Sequence, residues 1–299
     1  MASWPAAKDG RWPALRGLTA HFSGERSEND TSGMMSKTAE ISSAAARRSS
    51  FQVLGVRVDA VQIPGVVDEI EQWISRRDRC HYIAVTGMHG VTEAQHDASF
   101  KKILNAADLV VPDGMPLVWI SRLRGQPLRR RVYGPELMLT LMESTSAKKY
   151  RHFFFGGSSG LAENLVAALE AKVPGLVSVG AYSPPFRALT AEEDADVVAM
   201  INAAAPDIIW VGLSEVKQDC WMFEHRDKLN AAVLVGVGAA FDFHAGTKKQ
   251  APLWMRENGL EWLFRLLQEP KRLWRRYLVY GSQFCFYVLL EFAGLKKFD

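Results

Sequence analysis

Hydrophobic positions along this chain follow two periods. From residue 51, short apolar runs alternate with stretches in which apolar residues recur every three to four positions. These are the spacings of buried strands and of amphipathic helices. The runs that read as strands are 51–58, 81–85, 109–111, 152–155, 177–180, 208–211 and 232–235. Helical spacing predicts helices over 66–76, then one running through Ala98, then 100–107, 115–124, 135–147, 161–172, 191–204 and 217–229. Pro64 stands ahead of the first, and Thr190 with Glu193 three residues on forms a capping box before 191–204. Uninterrupted apolar strands separated by amphipathic helices predict an α/β fold. It is a Rossmann-like, mostly parallel sheet with helices on both faces.

Beyond residue 250 the pattern becomes wholly helical. The predicted organisation is a Rossmann-like catalytic domain over 51–250 and a helical C-terminal appendage over 251–299, basic and apolar, that associates with a membrane. From Pro270 on, a spacing of about 100° per residue puts Lys271, Arg272, Arg275 and Arg276 on one arc, with Leu273, Trp274, Tyr277 and Leu278 opposite. A helix so divided can hold an anion on one side while the other stays buried; a solvated basic face over a core stripe is the plainer alternative. Residues 277–295 are apolar apart from Gly281, Ser282, Gln283 and Glu291, and end in Lys296-Lys297. Those polar breaks favour a contact in the membrane plane over a span.

The first fifty residues differ in kind, with nine Ser, nine Ala and mixed charges. They read as a disordered extension. No apolar core follows a basic start, as a secretory signal would need, and Glu25, Glu28 and Asp30 argue against an organelle transit peptide.

Composition adds a few exclusions. A net charge of +3 over 299 residues is too small to indicate nucleic acid, but arginines crowd at 122–131 and 265–276. Three cysteines far apart give neither a disulfide framework nor a metal knot, and the seven histidines lack ligand spacing. The expectation is a reducing cytoplasm, with no metal and no cofactor.

In parallel sheets ligands bind beyond the carboxyl ends of the strands. Thr86, Asp113, the 156–160 turn, the 213–218 turn and the 236–242 segment all follow predicted strands, so they converge on one crevice. Asp113, in Pro112-Asp113-Gly114, fits a general base with a pKa raised by apolar neighbours, or equally a cap for the helix starting at Met115. Asp242, between two phenylalanines, is a second carboxylate, with a structural role in a turn as its alternative. Gly156 and Gly157 open a Gly-Gly-Ser-Ser-Gly turn whose amides suit a phosphate or a sugar hydroxyl, though it lacks the P-loop ending. Asp194 and Asp196 have a metal-like spacing but fall on a polar helix face. Arg129-Arg130-Arg131, beside a helix start, suits an anionic ligand, and arginine forks grip diphosphates in bidentate fashion. Two basic clusters and a carboxylate suit transfer of a group away from a diphosphate.

Four segments then resemble, in order, the WecG/TagA/CpsF glycosyltransferases. They are Pro112-Asp-Gly114, Arg131-Val-Tyr-Gly-Pro-Glu-Leu137, Gly212-Leu-Ser-Glu-Val-Lys-Gln218 with Trp221, and the long stretch 236–277. The resemblance covers roughly 51–277. It implies an inverting, metal-independent transfer of a sugar from a UDP-sugar to a polyprenyl-diphosphate-linked glycan acceptor. The enzyme would be cytoplasmic and peripheral at the inner face of a bacterial plasma membrane. It also implies Asp113 as base, Arg131 beside it, Thr86 and Gln218 in the substrate site, and Arg265, Arg272 and Arg275 over the nucleotide diphosphate. Where the family often has Asn, this chain has Met88 followed by His89, so His89 joins the substrate-binding candidates. Leu213-Ser-Glu-Val-Lys-Gln and Gln250-Ala-Pro252 also depart from the family pattern. A non-catalytic, membrane-associated nucleotide-binding protein and a nicotinamide oxidoreductase stay as alternatives. The sugar, the acceptor glycan and self-association as a homo-oligomer stay open.

Overall fold

The computed structural model describes residues 49–126 and 128–298; the extension expected over 1–50 falls outside these apart from its last two residues. The first predicted strand is a hairpin instead. β1 (Ser50–Val53) and β2 (Val56–Asp59) pair antiparallel. Leu54 and Gly55 between them both take positive φ, 52° and 73°, which makes the two-residue turn that a continuous strand cannot contain.

The remaining strands are β3 (His81–Thr86), β4 (Leu109–Pro112), β5 (Arg151–Gly156), β6 (Val177–Tyr182), β7 (Ile208–Gly212) and β8 (Val233–Gly236). They form one six-stranded sheet in the order β4-β3-β8-β7-β5-β6, every pair parallel. Asp59 ties the hairpin to the β4 edge by accepting from the Val110 amide at 2.8 Å. That side chain blocks a strand edge that would otherwise stand open.

The strands are buried on both faces. On one face Tyr82, Ala84, Val110, Phe155 and Leu234 pack with α2 (Met88–His96), α3 (Ala98–Asn105), α4 (Met115–Leu123), α7 (Ala191–Ala203) and α8 (Glu215–His225). On the other, Ile83, Val85, Val111, Phe154 and Val235 pack with α1 (Ile63–Arg76), α5 (Gly134–Thr145), α6 (Leu161–Lys172) and the short α9 (Ala240–His244). Neighbouring strand residues serve opposite cores, as the period of two requires. The capping box at Thr190 forms as expected, the Thr190 side chain accepting from the Glu193 amide.

This topology places the site. The helix after β3 lies on one face of the sheet, and the helix after its neighbour β8 lies on the other. Two adjacent strands whose connections part in this way leave a crevice at their carboxyl ends.

The appendage is helical: α10 (Leu253–Glu257), α11 (Glu261–Gln268), α12 (Pro270–Trp274), a π turn (Arg275–Val279) and α13 (Tyr280–Phe292). The last helix is not a loose tail. Phe284 is buried in the core beside α2, and Glu291 accepts from the Leu54 amide at 3.2 Å and pairs with Arg124 at 2.7 Å. No helix among the described residues is long and apolar enough to cross a membrane.

Candidate active site

The crevice is built around three carboxylates, Asp113, Glu261 and Glu215. Asp113 follows β4 directly. It does not cap α4, whose N-cap is Gly114 with no side-chain bond. Its carboxylate lies 3.4 Å from Arg131 Nη1 instead. A third of that side chain faces the crevice, yet burial lifts its pKa to about 6. Arg131 and Arg265 oppose that rise, while Glu261 and Glu215 add to it. A carboxylate so poised can accept a proton near neutral pH.

Arg131 is brought there by the turn into α5. Its other nitrogen pairs with Glu261 at the start of α11, and its guanidinium stacks 4.2 Å from the Tyr133 ring. Glu261 in turn faces Arg265 Nη1 at 4.0 Å, and Arg265 lies over the Phe243 ring. Asp113, Arg131, Glu261 and Arg265 thus form one alternating-charge chain from the catalytic domain into the appendage. Sequence reasoning missed Glu261, since nothing local distinguishes it from a solvated helix-start acid.

Glu215 is the third carboxylate and was also missed. It lies within Leu213-Ser-Glu-Val-Lys-Gln, a segment notable in the sequence only as a departure. It is buried, and it accepts from Thr86 Oγ1 at 3.2 Å, the Gly87 amide at 3.1 Å and the Gly90 amide at 3.2 Å. His89 Nδ1 lies 3.1 Å away and Arg276 Nη2 2.5 Å. Burial works against the charge, but Arg276 and His89 outweigh it and hold the pKa down to about 2. Gly90 cannot be replaced: a Cβ there would collide with Thr86 Oγ1 and come within 2.7 Å of Glu215 Oε1. The α2 N-terminus is therefore already occupied by an anion of the protein itself.

The other sequence candidates divide. Thr86 and Gln218 are buried; Thr86 serves Glu215, and Gln218 Oε1 accepts from the Gly238 amide at 3.0 Å, shaping the turn after β8. His89 remains partly open, between Glu215 and the Tyr280 ring. Gly156 packs against the Gly212 backbone so closely that a Cβ would lie 2.6 Å from it, and the Gly157 amide is spent on the Gly212 carbonyl at 3.0 Å. The exposed amides of 158–160 have no partner among the described residues, so they are the donors this turn offers. Asp242 accepts from Thr247 Oγ1 at 3.2 Å and faces Lys248 Nζ at 3.3 Å, the turn-stabilising role. Asp194 is taken by His225 at 2.8 Å, and no group that could hold a metal occurs among the described residues.

The appendage arginines depart from the even arc that helical spacing predicts. Arg265 is in the site, whereas Arg272 and Arg275 are exposed, and Arg276 turns inward to Glu215. Arg276 stands three residues after buried Leu273, at the edge of the basic arc nearest the core, so it reaches inward while Arg272 and Arg275 face out. Leu273 is buried while Trp274 and Leu278, assigned to the same arc, are exposed. The π turn shifts the phase only of the residues that follow it.

A profile of the Glycosyl transferase WecG/TagA/CpsF family matches residues 51–297. The chain belongs to that family. It is a glycosyltransferase, which decides against the oxidoreductase and non-catalytic alternatives. Among its relatives is a protein of Bacillus spizizenii (strain W23), 32% identical over 186 residues, 62% of this chain and 70% of the relative. A protein of Staphylococcus aureus (strain MW2) is 29% identical over 228 residues, 76% of this chain and 88% of that one. One of Bacillus subtilis (strain 168) is 30% identical over 203 residues, covering 68% and 76%. All three are named N-acetylglucosaminyldiphosphoundecaprenol N-acetyl-beta-D-mannosaminyltransferase. The family match runs through β1 to the end of α13, so hairpin, sheet and appendage are all parts of the glycosyltransferase.

Proposed function

We propose that this glycosyltransferase moves a sugar from a UDP-sugar to a polyprenyl-diphosphate-linked acceptor, inverting the anomeric centre without a metal cofactor. The observation that carries this reading is the Asp113–Arg131–Glu261 arrangement: a base with a pKa of about 6 beside a guanidinium that links the sheet to the appendage. Asp113 takes the proton of an acceptor hydroxyl. The freed oxygen bonds to the anomeric carbon from the face opposite the nucleotide, and the bond to the β-phosphate breaks with its electron pair leaving on UDP. Arg131 and Arg265 offset the charge that builds on the leaving group. Exposed Arg272 and Arg275 can fold over the diphosphate from outside. The unpartnered amides of 158–160 lie beyond β5, four strands from β4, or about 19 Å at ordinary strand spacing. A nucleotide stretched along the sheet end can reach from one to the other.

The relatives' shared name supports a prenyl-diphosphate acceptor carrying N-acetylglucosamine and makes UDP-N-acetylmannosamine the first donor to test. Apolar side chains exposed on the appendage, with the arginines between them, support a peripheral membrane position at the inner face. The experiment is a panel of UDP-sugars offered with a short-chain prenyl-diphosphate N-acetylglucosamine, with and without chelator. We expect transfer from one UDP-N-acetylhexosamine, unchanged by chelation. Transfer abolished by chelation and restored by a divalent ion would refute the arginine scheme.

A further inference from the structure

Beside the crevice, on the side away from the 156–160 turn, α4, the 129–133 segment and α10 enclose a groove of about 390 Å³. Arg122, Arg129, Arg130, Arg131 and Arg256 line it against two carboxylates, Glu136 and Glu257. Those carboxylates are largely committed to one arginine, Arg130, at 3.3 Å and 3.6 Å. Arg129 is exposed and has no ion pair among the described residues. The wall also holds spare donors: Arg256 Nε and the hydroxyl of Tyr133, a residue only 5% exposed, are both buried without a hydrogen-bond partner among the described residues. Arg122, Arg129 and Arg256 therefore carry charge with no carboxylate partner among the described residues, and guanidinium forks suit a pyrophosphate in bidentate fashion.

The other half of the lining is apolar and open. Trp119 is 47% exposed and Leu253 53%, with Trp254 next to it at 60%. Such a rim suits the first units of an isoprenoid; a nucleobase would also stack on Trp119, so the comparison of farnesyl diphosphate with UDP is the arm that separates the two. Arg131 belongs to both the groove and the Asp113 pair, so a ligand seated here ends beside the base.

We propose that this groove holds the diphosphate of the lipid-linked acceptor, with Trp119 and Leu253 receiving the start of its prenyl chain. The inference rests on the reading of a prenyl-diphosphate acceptor given above. It assigns the two diphosphates of the reaction to opposite sides of Asp113: the donor's toward 158–160 and Arg265, the acceptor's toward Arg129 and Arg256.

Titration of the full-length protein with farnesyl diphosphate, inorganic pyrophosphate, farnesol and UDP tests it. Wild type should bind farnesyl diphosphate at least tenfold more tightly than pyrophosphate or farnesol. Arg129→Glu, on the surface, should weaken farnesyl diphosphate about tenfold or more while UDP affinity stays within twofold; Arg256→Gln should act in the same direction. Melting temperatures of both variants check that they fold. Unchanged farnesyl diphosphate affinity in folded variants, or a loss of UDP affinity as large as that of farnesyl diphosphate, would overturn the groove assignment and leave sugar transfer standing. Wild type that transfers no sugar to any prenyl-diphosphate acceptor would instead overturn the reading on which the assignment rests.

Discussion

At the scale of single residues the site depends on two carboxylates moved from their ordinary pKa, Asp113 upward and Glu215 downward. Asp113 at about 6 must be ionised to act as base. The log of kcat/KM should therefore climb with pH up to about 6 and level off above it. Arg131 lowers that pKa, so Arg131→Gln should move the acid limb up by about one unit as well as slowing turnover. A pH–rate profile of both proteins checks this, and a limb that stays in place would remove Arg131 from the base's surroundings. Asp113 and Arg131 were legible in the sequence because each stands in a short motif at a strand or helix end. Glu215 and Glu261 were not. Their importance lies in partners more than a hundred residues away in the chain, and local pattern carries no trace of such contacts. Acids in the first turn of a helix are favoured by the macrodipole alone, so their presence signalled nothing.

Among elements, the start of the π turn is where the appendage is tied to the sheet domain. Helical periodicity gave a helix from 270 onward but could not show that Arg276, at the edge of the basic arc, pairs with Glu215. The pair joins the appendage to the N-terminus of α2 through a buried charge. Breaking it should be costly: Glu215→Gln and Arg276→Ala should each destabilise the protein by roughly 3 kcal/mol. Arg272→Ala, at an exposed position, should stay within about 0.5 kcal/mol while lowering UDP affinity. Chemical denaturation and UDP titration separate the two classes. Equal stability losses at 272 and 276 would contradict the inward turn. The Glu215 contribution has a definite pH dependence. Its folded pKa of about 2 lies below the ordinary 4.5, so its stabilisation is complete above 4.5 and is lost as pH falls from there toward 2. The opening hairpin shows a similar limit of periodicity. Apolar positions fall at 51 and 53 and then at 56 and 58, a one-residue slip at Leu54-Gly55 that a single strand over 51–58 overlooks and that the left-handed φ angles explain.

For the whole molecule, the alternation of apolar strands and amphipathic helices revealed the parallel sheet because strands covered on both faces must be apolar throughout. The strand order was not legible. Which strand lies between which others follows from packing of helices on each face, and that order decides where connections part and the crevice opens. The same packing leaves Leu267 73% and Leu278 54% exposed on the appendage and Leu289 68% exposed on α13. Replacing these three by Ser should lower co-sedimentation with anionic liposomes several-fold without altering UDP affinity, and wild-type binding should weaken as salt rises. Full retention by the triple variant would place the membrane contact elsewhere.

The central claim is that Asp113 is the base of a sugar transfer. Its most direct test is steady-state turnover of Asp113→Asn with a UDP-sugar and a prenyl-diphosphate-linked acceptor, in protein whose melting temperature and UDP affinity match wild type. The expected result is a loss of roughly 10²–10⁴-fold in kcat. Turnover near the wild-type rate would contradict it.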